Sequence, residues 1–118
     1  MRTRVLRFGL YADEPGLAWV RGLVADAVGS RSARIMEMSV LRTLPGSGMP
    51  AAEMYEHLVD QWDIEHPGEG RGGREPVELR VDLDCSLRTW RAVRAAVIEG
   101  LCPEGAGRHV CRVPWATR

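Results

Sequence analysis

The residues with the readiest chemistry in this 118-residue chain are three cysteines and three histidines. Cys102, His109 and Cys111 crowd one end, and thiolates with an imidazole are the ligands that hold zinc. Their C-x6-H-x-C spacing follows none of the common structural zinc patterns. No metal is therefore expected, and these three stand only as candidate ligands. Cys85 immediately precedes a run of helical periodicity, where the positive end of a helix dipole lowers a thiol pKa and favours the nucleophilic thiolate. His57 has Glu53 and Asp60 one helical turn away on either side, which permits carboxylate–imidazole acid–base work near neutral pH. His57 and Cys85 are the catalytic candidates, although no histidine lies near Cys85 in sequence to activate it. Cys85 and Cys102 cannot pair, since the helix between them separates them by roughly 25 Å at 1.5 Å per residue. His66, just before Pro67, reads as a helix terminus.

Gly68, Gly70 and Gly73 satisfy the letters G-x-G-x-x-G. A dinucleotide site needs a strand before such glycines and a helix after them. Here a helical pattern precedes and a strand pattern follows, so the segment is a flexible linker and no nucleotide cofactor is expected. All sixteen basic residues are Arg and none is Lys, which removes Schiff-base chemistry. Arginine usage without Lys or Asn fits a GC-rich bacterial genome. Sixteen acids balance the arginines, so no net field recruits nucleic acid or an anionic membrane. No apolar run is long enough to span a bilayer and no signal-peptide core opens the chain. A cytoplasmic protein with free thiols is expected.

The elements that must position these residues come twice. A shift of 71 residues lays Leu6, Phe8, Leu10 and Ala12 over Val77, Leu79, Val81 and Leu83, and Trp19 over Trp90. Each copy opens with the period-two alternation of a half-buried strand and passes into helical spacing. Asp13 and Ser86 suit the two N-caps, and Gly29 and Gly100 are placed for left-handed stops. Trp19 and Trp90 are expected to pack those helices onto the sheet. A third element follows each helix. Residues 33–43 form a strand with Met36, Met38 and Val40 on one face. Residues 108–115 form another, with Cys111, Val113 and Trp115 on one face. One domain over 1–118 is expected, with copies at about 4–43 and 75–115. Strand–helix–strand twice predicts an α+β fold of the ferredoxin-like split βαβ kind, with a four-stranded antiparallel sheet. A parallel flavodoxin-like sheet would require near-continuous apolar strands, which Glu78–Asp84 is not.

Between the copies, about 44–75, lies an insertion bounded by Pro/Gly clusters. Ala51, Met54, Tyr55, Leu58 and Trp62 fall at helical spacing, predicting a helix from about 50 to 65. From Thr43 to Gly70 there are six acids and no Arg, a net charge of −6 against +6 elsewhere. The helix reads as an amphipathic cover with an acidic back, a lid over a pocket, or an arm docking on a second copy's arginines.

Three functions follow from these observations. The first is a small-molecule-binding or accessory protein, with an apolar, aromatic pocket between the sheet and the inserted helix. Met54, Tyr55, Leu58 and Trp62, with Trp115, are its ligand-binding candidates. The second is a small cofactor-free enzyme of oxygenase or cyclase type on a dimeric ferredoxin-like scaffold, by fold analogy alone. The third is a protein–protein adaptor using the acidic helix. A homodimer is expected, because one small sheet leaves a face and two edges to cover. The outward residues of the central strands, Arg7, Gly9, Tyr11, Glu78, Arg80 and Asp82, make a poor stacking platform for RNA bases.

Overall fold

Alternation of apolar and polar residues builds the two longest strands and sends their side chains to opposite faces. The computed structural model describes residues 2–103 and 111–117. The order is β1 (Arg2–Ala12), α1 (Glu14–Gly29), β2 (Arg34–Leu41), α2 (Ala51–Met54), α3 (Glu56–Glu65), β3 (Glu75–Cys85), α4 (Leu87–Leu101) and β4 (Trp115–Thr117). Among the described residues the architecture is α+β, an open four-stranded antiparallel sheet with four helices. Strand order is β2-β3-β1-β4, and β1 and β3 pair along their whole length, from Arg2 opposite Cys85 to Ala12 opposite Glu75. No helix among the described residues is long and apolar enough to cross a membrane.

One face of the sheet carries the main core. Leu6, Phe8 and Leu10 of β1 and Val77, Leu79 and Val81 of β3 are buried with Val20 and Val24 of α1 and Val93 and Val97 of α4. Asp13 caps α1 by accepting from the Gly16 amide at 2.8 Å, and Ser86 caps α4 by accepting from the Thr89 amide at 3.1 Å. Trp19 and Trp90 pack against this core, and the Trp90 indole donates to the Val5 carbonyl at 3.1 Å. That carbonyl lies on β1 beyond the short β4, which pairs with Phe8–Leu10, so an indole satisfies a backbone acceptor that β4 does not reach.

Four sequence expectations change. Gly29 and Gly100 are not left-handed stops, since among the described residues the positive-φ glycines are Gly46, Gly48, Gly68 and Gly72. Gly100 is instead a close-approach position, where an added Cβ would meet Leu23 of α1 at 2.8 Å. In β2 a register shift between Ile35 and Glu37 breaks the alternation, as a bulge does. Ile35, Met38 and Val40 therefore pack on the core, and Met36 is 51% exposed. Of the last strand expected over 108–115, residues 111–114 are irregular and β4 begins at Trp115; Pro114 has no N–H to donate to a ladder, and its carbonyl accepts from the Tyr11 amide at 3.1 Å. Residues 108–110 lie outside the described residues. The single inserted helix is two, α2 and α3, broken at Tyr55 (φ −111°, ψ 25°).

The inserted helices lie on the face opposite α1 and α4. There Tyr11, Leu44, Ala51, Tyr55, Leu58 and Trp62 form a second core. Contact with the sheet is close enough that a Cβ on Gly9 would fall 2.1 Å from a Tyr55 ring carbon. An aromatic ring clamped between backbone and its own helix has nowhere to retreat. Gly9→Ala is therefore expected to destabilise the chain by about 1–3 kcal/mol, the ordinary cost of overpacking. A urea titration followed by tryptophan fluorescence checks this; an unchanged midpoint would show that the inserted helices move aside freely.

Candidate functional site

Tyr55 governs what lies above the sheet. The break between α2 and α3 turns its ring down over Gly9, and its hydroxyl donates to Glu78 Oε1 at 2.6 Å. Gly9 and Glu78 are direct partners across β1 and β3, so the glycine opens the space through which the phenol reaches the carboxylate. Glu78 is 0% exposed. A buried carboxyl group needs such partners.

One turn beyond Leu58, Trp62 gathers three neighbours. His66 stacks on it with ring centroids 4.5 Å apart and 15° between planes. Tyr11 meets it edge-on at 6.2 Å, and the Arg74 guanidinium lies 4.7 Å from the ring centroid. Arg74 comes from the linker before β3, donates to the Arg71 carbonyl at 3.1 Å, and brings Nη2 within 3.8 Å of Asp13 Oδ2. Two further ion pairs strap the insertion's ends. Arg71 grips Asp63 through two nitrogens, at 3.2 and 2.6 Å, and Arg42 grips Glu75 in the same two-pronged way. These guanidiniums hold the Asp63 and Glu75 carboxyls below the usual carboxylate range.

Where the end of β1, the start of α1 and the linker meet, there is a cleft of about 210 Å³. Tyr11, Asp13, Gly16, Arg74, Arg112 and Val113 line it. The Arg112 guanidinium lies 4.7 Å over the Trp19 ring and pairs with no carboxylate among the described residues. Tyr11 is 2% exposed, and its hydroxyl makes no hydrogen bond with a described residue. Burial raises the Tyr11 phenol above its ordinary pKa, while the charges of Arg71 and Arg74 pull the other way. The phenol is therefore a neutral donor at physiological pH.

The five expected ligand-binding residues divide between two faces. Tyr55, Leu58 and Trp62 are buried together beneath the inserted helices, filling the space between helix and sheet with the chain's own side chains, and Met54 sits at the rim, 36% exposed. Trp115 is opposite Leu10 on β4, so it faces the main core. There it borders a separate groove of about 540 Å³ with Ile98, Cys102 and Pro103. His57 is exposed, with its ring 6.4 Å from that of Tyr55, and forms no hydrogen bond or ion pair with Glu53 or Asp60. Cys85 is buried in the main core, and burial raises its thiol pKa, opposite to the direction a helix N-terminus imposes. Of the three expected metal candidates, Cys102 and Cys111 come together with sulfurs 3.8 Å apart. His109 lies outside the described residues. Among the described residues no group of three or more His, Cys, Asp or Glu could hold a metal ion.

Sequence reasoning missed the cleft. Tyr11 was visible as an outward strand residue and Asp13 as a cap, but nothing in spacing announces that Arg74 and Arg112, 38 residues apart, border the same opening. No family model, curated protein or solved structure matches the chain.

Tyr55→Phe is expected to cost about 1–3 kcal/mol, because it removes a buried donor to a carboxylate. Adding Glu78→Gln should recover part of that loss, since a neutral amide tolerates the missing donor better; a double-mutant cycle from denaturant unfolding measures this. Asp63 and Glu75 ionise more readily folded than unfolded. Their stabilisation is present above the unfolded carboxyl pKa and disappears as pH falls through the lower folded value. Acidification should therefore lower the wild-type unfolding midpoint more than that of an Asp63→Asn, Glu75→Gln variant.

Proposed function

We propose that this chain is a non-catalytic binding protein for a small molecule bearing a compact oxyanion, a carboxylate or phosphate, seated in the cleft between Arg74 and Arg112. The reading is carried by one observation: two arginines, each laid 4.7 Å over a tryptophan, border one cleft. Stacking on an indole fixes the plane of a guanidinium while leaving its edge N–H groups free to donate. Arg74 is balanced in part by Asp13 at 3.8 Å, whereas Arg112 has no carboxylate partner among the described residues. Among the described residues one positive charge is therefore left over, beside the Tyr11 phenol, whose hydroxyl bonds no described residue. The volume, about 210 Å³, is below the usual range for drug-sized ligands, so it suits an anionic head group more than a polycyclic body.

The scaffold we assign is the ferredoxin-like split βαβ, supported by the antiparallel order β2-β3-β1-β4 and by α1 and α4 sharing one face. In this reading the inserted helices are a permanent cover whose inner side props Trp62, and so Arg74, at the rim. A second copy of the chain remains the expected partner. It is supported by the polar end of the sheet that the insertion leaves uncovered and by the Arg2–Arg7 edge of β1 beyond β4.

Calorimetric titration with inorganic phosphate and with small mono- and dicarboxylates tests the binding. At least one should bind, and Arg112→Gln and Arg74→Gln should each weaken it about tenfold or more, the effect of losing a charge-assisted hydrogen bond. Arg112→Lys should not restore affinity, because an ammonium cannot stack flat on Trp19. No binding by any of these anions, or binding indifferent to both arginines, overturns the assignment.

A further inference from the structure

Cys102 and Cys111 take no part in the anion cleft, and their arrangement has its own logic. Their sulfurs are 3.8 Å apart. A disulfide needs about 2.05 Å, so closing the pair requires the two sulfurs to approach by about 1.8 Å. Both residues sit where the backbone can give that distance. Cys102 is the cap of α4, with φ −137° and ψ 69°, already outside the helix. Cys111 lies in the irregular stretch before β4, ahead of any ladder hydrogen bond of that strand. Yet the juxtaposition is held by neighbours on either side, because Leu101 and Val113 are both buried in the main core. Both thiols are half-buried, so a small reagent can reach them, whereas Cys85 is 0% exposed at the far end of α4.

We propose that Cys102 and Cys111 are a reversible modification site, closing to an intramolecular disulfide by exchange with a low-molecular-weight disulfide. Cys102 makes the first attack. Its thiolate displaces one thiolate from the reagent and leaves a mixed disulfide on Cys102. Cys111 then loses its proton and attacks the Cys102 sulfur, forming the internal bond and releasing the second reagent thiol. Two protein thiols are oxidised by two electrons, and one reagent disulfide is reduced to two thiols. The order follows from access: Cys102 lines the open groove beside Ile98 and Pro103, which Cys111 does not line, and burial with the neighbouring Cys102 thiol pushes Cys111 up to about 11. The inference is independent of what the cleft binds.

The test uses the full chain, first fully reduced and then incubated with oxidised glutathione, and reads intact mass and non-reducing peptide maps. The expected product has lost the mass of two hydrogens and yields one cross-linked species joining Cys102 to Cys111. Cys85 stays titratable after unfolding, and dithiothreitol reverses the change. Cys111→Ser should instead accumulate a stable adduct of one glutathione on Cys102, because the resolving thiol is gone. The wild-type peptide map stands by itself if that variant folds poorly. A persistent glutathione adduct on the wild type, a cross-link to Cys85, or no reaction at either Cys102 or Cys111 overturns the proposal.

Discussion

Burying the carboxylate of Glu78 in the middle of a sheet costs several kcal/mol unless donors meet it, and the Tyr55 phenol, arriving at 2.6 Å from a separate element, is one such donor. The upper half of the molecule hangs on that contact. It requires Gly9 opposite Glu78, since any Cβ there would occupy the ring's place. It requires the helix to break at Tyr55, since a continuous helix would carry the ring along its own side. With Tyr55 seated, Leu58 and Trp62 follow on the inner side of α3. Trp62 then presents its ring to Arg74, which reaches the start of α1. A bond between strand and inserted helix thus sets the position of a cation at the rim of the cleft.

Much of the scaffold could be read from residue order. The alternation of Leu6–Ala12 and Val77–Leu83, the caps at Asp13 and Ser86, and the apolar stripes of the two long helices are local signals, each decided by near neighbours in sequence. What escaped reading depends on contacts across the chain. The bulge at Ile35–Glu37 is invisible in a pattern where Met36 and Met38 look equivalent. β4 begins at Trp115, after a proline that has no N–H for a ladder. Gly100 resembled a stop because it follows a helical stripe, but its position is set by Leu23 on another helix.

The site was less legible for the same reason. Tyr55, Leu58 and Trp62 were visible as an aromatic stripe, and stripe spacing alone does not distinguish side chains that line a hollow from side chains that fill it. The arginines of the cleft had no local signature: Arg74 reads as a linker residue and Arg112 as one polar position among others. Their tryptophans, Trp62 and Trp19, belong to different elements on opposite faces of the sheet. Cys102 and Cys111 were grouped by sequence, and only the fold shows how near their sulfurs lie.

The central pairing of β1 with β3 also sets a timetable for synthesis. Arg2 pairs with Cys85, so the sheet's middle cannot close until most of the chain exists. At ordinary elongation rates that interval is on the order of ten seconds, long compared with helix formation. During it Leu6, Phe8 and Leu10 have no strand beside them, and β2, whose neighbour in the sheet is also β3, waits equally. Only α1, made immediately after β1, can shield that apolar face on the nascent chain. The newborn protein is therefore most exposed to aggregation and to chaperone capture before residue 85 emerges, with α1 as its provisional cover.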